Sequence, residues 1–371
     1  MYGREPRLFR APGRVNLIGD HTDYNEGFVL PMALDRETVV AGAARADFTV
    51  RVHSLDLNVA AEFDLKEPGE KRRGSWLDYV EGIARVLQER GASVRGADLM
   101  LHSDVPIGAG LSSSAALEIS VGLALLSLSG QSFERTALAL AAQRTEHEYV
   151  GINSGIMDQL ISALGRRGHA LLIDCRSLET KQIPLETQDV AIVICDTRVK
   201  HELASSAYNT RRAECERAVE LLRAYVPGLR SLRDLTAIDF FRYERFLPDV
   251  IQRRCRHVVT ENGRTLTAAA ALEDGNFDLM GRAMYFSHES LRDDYEVSCP
   301  ELDLLVEIAA SVPGTLGARM TGGGFGGCTV NLVRRASLAE FQTIIPRKFS
   351  AAFSYEPALY PAEPGDGAEE I

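Results

Sequence analysis

Residues 106–120 read PIGAGLSSSAALEIS: Gly108, Ala109, Gly110 and Leu111, then Ser112, Ser113 and Ser114 at the head of an apolar run. The preceding stretch, ADLMLHSDVP, reads as a strand, and the spacing predicts a helix over Ser112 to Leu128. Glycines let a backbone approach an anion closely, and the unpaired N–H groups of a helix start point at it. Serine hydroxyls add donors and can ligate Mg²⁺. No GxxxxGK[ST] and no GK dipeptide occurs, so this is not the lysine-bearing phosphate loop. Taken alone, the stretch also fits a plain strand-to-helix turn with serine caps.

Two other loops concentrate chemistry. TGGGFGGC (Thr321 to Cys328) formally matches GxGxxG, but the following CTVNLV is a strand by composition, which excludes a dinucleotide fingerprint. Close backbone approach to a ligand and a bulged hairpin remain equally open for it. Near the start, GRVNLIGDHTDYNEG gathers Arg14, Asn16, Asp20, His21, Asp23, Tyr24 and Asn25 between apolar strands. Carboxylates, amides and an imidazole suit a polyhydroxylated ligand, because each hydroxyl both donates and accepts. A single histidine without a partner cluster argues against a metal there.

The rest of the chain sets the frame. Its 371 residues are 45% hydrophobic and 25% charged, enough for a sizeable core without staples. A formal charge of −11 argues against nucleic acid or an anionic membrane as partner. The six cysteines lie at least twenty residues apart with no CxxC, and MYGREPRLFRAPGR lacks the apolar run of a secretory leader. A cytoplasmic protein is expected. Residues 36 to 65 alternate as half-buried strands do, Leu77 to Glu89 has helical spacing, and Ser132 is placed as the cap of a further helix. Arginine-studded helical patterns fill about a hundred residues from Ala207. Strands early and helices late predict two α+β domains meeting near residue 160.

Together the three loops closely resemble those of the galactokinases of the GHMP kinase superfamily. APGRVNLIGDHTDYNEGFVLP is similar to the galactokinase signature, PIGAGLSSSAA to the phosphate-binding motif and RMTGGGFGGC to the third motif. The likeness extends through GIMDQ, GHALLIDCRSLET and SLRDDYEVSCPELD, and so covers nearly the whole chain. It implies a two-domain α+β fold: a ribosomal-S5-like domain over 1–160 joined by a returning strand within 350–371, and a ferredoxin-like domain over 161–349. The site would lie in the cleft between them. It also implies ATP-dependent phosphorylation of the C1 hydroxyl of galactose, with Mg²⁺, by a monomer.

On the matching positions, the resemblance makes Asp158 the base and Arg14 its electrostatic partner. Sugar hydroxyls would be held by Asp20, His21, Asp23, Gly155 and Tyr208. Phosphates would lie against Gly108 through Ser114, with Mg²⁺ at Ser114 and Glu146. Trp76 and Tyr79 would flank adenine, and Lys200 would approach the phosphates. Without the resemblance, Glu146 reads as a solvated helix residue and Trp76 as core. Asp20 stands where the family usually has Glu, which withdraws a carboxylate from the sugar by about one methylene. That leaves L-arabinose as an alternative substrate. Ser154 stands where Cys is usual and receives no role. A non-catalytic galactose and ATP sensor is the remaining alternative, against which stand Ser114 and Ala115 of the phosphate motif.

Overall fold

The alternating N-terminal stretch forms β1 (Arg7–Asn16), β2 (Phe28–Val29), β3 (Pro31–Ala44), β4 (Thr49–Ser54) and β5 (Val59–Asp64). α1 (Leu77–Glu89) follows with the bounds its spacing predicts, and β6 (Ala97–Ser103) slots between β3 and β4. These features belong to a computed structural model that describes residues 5–132, 134–185, 188–199 and 204–371. Next come α2 (Ser113–Leu128), α3 (Arg135–Thr145) and α4 (Met157–Leu164). α2 is apolar on nearly every side, as a helix must be when it is enclosed. It is covered by β1 and β3 on one side and by α1, α3 and α4 on the others. Each fully buried leucine there contributes about 1.5–3 kcal/mol. That burial anchors the helix whose first turn carries the three serines.

β7 (His169–Asp174) and β8 (Thr180–Pro184) form a small sheet with β2, so the chain beyond residue 160 first returns to the N-terminal loop region. After β9 (Val190–Asp196) come α5 (Ala204–Leu222), α6 (Ala237–Tyr243), α7 (Asp249–Glu273), α8 (Phe277–Asp293) and α9 (Pro300–Ala310). They account for the arginine-studded stretch. β10 (Thr315–Thr321), β11 (Cys328–Arg334), α10 (Leu338–Phe353), β12 (Ala358–Ala362) and β13 (Glu369–Glu370) complete the order. The second sheet runs β10-β11-β9-β12. β13 pairs antiparallel with β1, Glu370 opposite Phe9 and Glu369 opposite Arg10. Of the segment expected to return to the first sheet, then, only its last strand does so; β12 extends the second.

The cap of α3 is also corrected. Not Ser132 but Glu134 caps it, its carboxylate accepting from Thr136 N at 2.9 Å and Ala137 N at 2.7 Å. A carboxylate suits that place because it meets both the free amides and the positive end of the helix. Among the described residues no helix is long and apolar enough to cross a membrane, and all six cysteines are free thiols.

α8 packs against β10 through two glycines. A Cβ on Gly281 would stand 2.0 Å from the Leu316 carbonyl oxygen, and one on Gly317 2.5 Å from the Gly281 Cα. Backbone on backbone cannot give way cheaply. Gly281→Ala should therefore destabilise the protein by about 1–3 kcal/mol or more, as overpacking does. Urea unfolding measures this; a loss below about 0.5 kcal/mol would contradict the close approach.

Candidate active site

The site begins with an interruption in β1. Its pairing with β3 shifts register between Pro12 and Arg14, and the freed Arg14 N–H donates to Leu111 O at 3.0 Å. Gly13 allows this, because a Cβ there would lie 2.7 Å from the same carbonyl. The strand is thus tied to the loop ahead of α2. Arg14 Nε and Nη2 each donate to one carboxylate oxygen of Asp158 at 2.8 Å, and Nη1 donates to Gly110 O at 2.6 Å. Ser112 Oγ donates to Asp158 Oδ2 as well. Ser112 holds a left-handed backbone, φ 58°, which turns the chain into the helix. Side-chain exposure is 6% for Arg14 and 27% for Asp158, so the carboxylate is the member of the pair that a substrate can reach.

Two cavities meet at this pair. One, of about 480 Å³, is lined by Trp76, Tyr79, Leu101, Ile107, Gly108, Gly110, Leu111 and Ser112 to Ser114 among others. The other, of about 290 Å³, is polar and lined by Asp20, His21, Asp23, Glu146, Gly155, Tyr208 and Gly322 to Gly324 among others. Arg14, Ser114, Asp158 and Gly323 border both. Of the expected phosphate-loop residues only Ala109 faces elsewhere. It is buried, and its carbonyl accepts from Cys328 Sγ at 3.0 Å. Lys200 lies outside the described residues.

The polar cavity is built by constraint. A Cβ on Gly155 would fall 1.8 Å from Asp23 Oδ2, so only glycine leaves that carboxylate in place. The Asp23 carboxyl is pushed up to about 7, by burial first and then by the like charge of Asp158, against the Tyr24 N–H that donates to it at 2.9 Å. Burial holds the His21 imidazole neutral, down to about 3, with the nearby His257 as the second cause. Asp20 borders the cavity with both oxygens already engaged, one by Arg319 Nη2 and the other by Gly322 N at 3.1 Å. Burial raises its carboxyl while Arg319 opposes the rise.

Glu146 is no solvated helix residue. It is 6% exposed and begins a π turn (Glu146–Val150). Its carboxylate accepts from Ser114 Oγ at 3.1 Å and from Ser154 Oγ. Ser154 therefore has a structural role that its sequence did not disclose. The glycine loop between β10 and β11 satisfies both readings left open for it. It is a hairpin loop with positive φ at Gly322, Gly324, Phe325, Gly326 and Gly327, and it also brings Gly323 to both cavities.

Comparison with known proteins agrees with this geometry. Residues 1–44 match the galactokinase galactose-binding signature, 78–166 the GHMP kinases N terminal domain and 268–351 the GHMP kinases C terminal domain. The galactokinase of Chloroflexus aggregans is 52% identical over 92% of this chain and 87% of its own length. That of Roseiflexus is 46% identical over 100% and 94%. The chain belongs to the galactokinase family. The galactose complex of Lactococcus lactis galactokinase superposes with a TM-score of 0.96 at 36% identity, over 99% of this chain and 96% of that one. Mevalonate kinase of Methanococcus jannaschii, at 18% identity and a TM-score of 0.67, shares the two-domain GHMP fold.

Within this galactokinase-family site, several supporting residues escaped the sequence reading. Glu261 on α7 accepts from Gly19 N at 3.0 Å and from Ser287 Oγ at 2.5 Å. Asn262 Oδ1 accepts from Phe28 N at 2.9 Å, and His257 Nε2 lies 3.1 Å from Asp20 O. One helix from the far half of the chain thus grips the polar loop. The EN pair of HVVTEN was the available signal, but helical spacing shows which face is buried and not what it touches.

The Asp23 carboxyl yields a testable consequence. Its folded value lies above the unfolded one of about 3.9, so the folded protein holds this proton more tightly. Stability from this group is present below about pH 4 and is lost as pH rises through about 7. Asp23→Asn should therefore lose less thermal stability than the parent between pH 4 and 8. Identical pH dependence of the two melting temperatures would refute the assignment.

Proposed function

We propose that the protein transfers the terminal phosphoryl group of ATP to the C1 hydroxyl of D-galactose, giving α-D-galactose 1-phosphate. One observation carries this reading: an aromatic and glycine-lined cavity and a polar cavity share a wall made by the Arg14–Asp158 pair. Adenine would lie by Trp76 and Tyr79, with phosphates against the free amides at the start of α2. The sugar would occupy the polar cavity, among Asp23, His21, Tyr208 and the backbone at Gly155. Its anomeric hydroxyl would then face Asp158.

The chain's own groups do positioning and charge work, which is most of what phosphoryl transfer requires. Asp158 accepts the C1 hydroxyl proton. Arg14 keeps that carboxylate oriented through two bonds and offsets negative charge as it develops on the transferring group. Ser112 fixes the second oxygen from the loop side. Ser114 and Glu146 fit a Mg²⁺ ion: they adjoin at 3.1 Å, Ser114 on the shared wall and Glu146 beside it in the polar cavity, and offer a hydroxyl and a carboxylate, the hard oxygens that ion prefers. Bound there, Mg²⁺ would neutralise phosphate charge.

Asp20 bears on sugar choice. Its oxygens each accept one bond, from Arg319 and Gly322, so the short side chain is fixed in orientation and cannot extend toward the sugar as a longer one would. This observation keeps L-arabinose as the second reading. A coupled assay over galactose, L-arabinose, talose and galactosamine, with ATP and Mg²⁺, separates them. Galactose should give the highest kcat/KM; no turnover of galactose would overturn the proposal. Asp158→Asn should lower kcat by about 10²–10⁴-fold while galactose still binds. Near-normal turnover in that folded variant would remove Asp158 as the base.

Trp76 supplies a second check, because it is the sole tryptophan and lines only the larger cavity. Its fluorescence should change on adding ATP and hold steady on adding galactose alone. The opposite pattern would reverse the two cavities' assignments.

A further inference from the structure

A chain of four polar side chains runs from the polar cavity into the protein. His21 Nδ1 lies 2.8 Å from Tyr24 Oη, which lies 2.7 Å from Tyr295 Oη, which lies 3.1 Å from Cys215 Sγ. His21, Tyr295 and Cys215 are buried and Tyr24 nearly so. They come from distant places: the sugar loop, the turn after it, the segment past α8 and the middle of α5. The other ring nitrogen of His21, Nε2, is buried without a hydrogen-bond partner, in a ring that borders the cavity.

The chain admits two proton orders, because a phenol has one proton and also accepts. In one, every proton points toward the imidazole: the Cys215 thiol donates to Tyr295, Tyr295 to Tyr24, and Tyr24 to Nδ1. The ring's own proton then sits on Nε2. In the other, Nδ1–H donates to Tyr24 and the run ends with Tyr295 donating to sulfur. The second order spends a phenol donor on a thiol sulfur, a weak acceptor, while Nε2 lacks a partner within the protein in either order. The first matches the best donor, a phenol, with the best acceptor, a neutral imidazole nitrogen.

We propose that Tyr24, Tyr295 and Cys215 are positioning residues that hold neutral His21 in its Nε2–H tautomer, so that the sugar cavity presents a fixed donor and selects a sugar hydroxyl able to accept at that point. Because burial keeps the ring neutral, it carries one proton, and the relay decides where. Tight ring contacts keep the imidazole from turning: its centroid is 4.7 Å from that of Tyr295 and 5.5 Å from that of Tyr208. The sugar part of this inference rests on the proposed function; the tautomer part does not.

Long-range ¹H–¹⁵N correlation on ¹⁵N-histidine-labelled, ligand-free protein reads the tautomer directly, with His21 assigned by loss of its signals in His21→Gln. A protonated Nε2 between pH 6 and 8 is expected; a protonated Nδ1 would overturn the proposal whatever the enzyme's substrate. Tyr24→Phe and Tyr295→Phe should shift His21 toward a mixture of tautomers. Tyr24→Phe should also raise KM for galactose about tenfold, with KM for ATP within about twofold. Among the monodeoxygalactoses, the one that lacks the accepting hydroxyl should show no such rise between parent and Tyr24→Phe. Unchanged tautomer and unchanged KM in both folded phenylalanine variants would sink the relay.

Discussion

A guanidinium clasping a carboxylate through two parallel 2.8 Å bonds is what the remainder of the site is arranged around. Arg14 and Asp158 lie 144 residues apart, so nothing local holds them together. The strand interruption at Gly13 brings Arg14 to the serine loop, and the loop's own carbonyl at Gly110 takes the third guanidinium bond. Asp158 in turn sits in the first turn of α4, where the helix favours an anion. Lysine would not serve here. A single ammonium cannot grip both oxygens and a carbonyl in one plane, as the arginine fork does.

Around that pair the two halves of the chain are laced rather than merely apposed. Thr321 and Asn16 exchange bonds at 2.9 and 3.2 Å, Cys328 reaches Ala109, and Arg319 reaches Asp20. Behind the polar loop, Glu261 is fully buried yet ionised. Burial would raise it, but Arg264 and other positive groups win and hold it to about 2. A buried carboxylate that accepts Gly19 N–H and Ser287 O–H and pairs with Arg264 is expensive to disturb, since removing a partner leaves a charge uncompensated. The loop's shape is thus held by α7.

Much of this was legible in the residues themselves. The strands, the bounds of α1, the serine-bearing start of α2 and the polar cluster of the first loop follow from period, glycine placement and composition. Trp76, Tyr79, Glu146, Gly155, Asp158 and Tyr208, by contrast, are placed at the site only by the family resemblance. What escaped depends on pairings between remote segments. Glu134 rather than Ser132 caps α3, because the helix begins later than its polar approach suggested. Glu146 reads as a solvated helix residue until the π turn buries it, and Ser154, given no role, proves to bond its carboxylate. Arg319 lies inside an apolar strand pattern, and its burial is explained by Asp20, 299 residues away, together with the Asn16 carbonyl. The bond to Asp20 also fixes the orientation in which that carboxylate meets the cavity.

β13 carries a consequence for how the molecule is made. Its two residues cover the outer edge of β1, whose other edge pairs with β3 and whose far end holds Arg14. In synthesis that strand precedes the partner on this edge by a long way, since Glu369 lies 359 residues beyond Arg10. Until β13 arrives this edge is open, and an open edge is a template for pairing with another chain. Arg7, whose partner is Glu370, and Arg10, shared between Glu37 and Glu369, put charge on that edge, the feature by which exposed strands discourage such pairing.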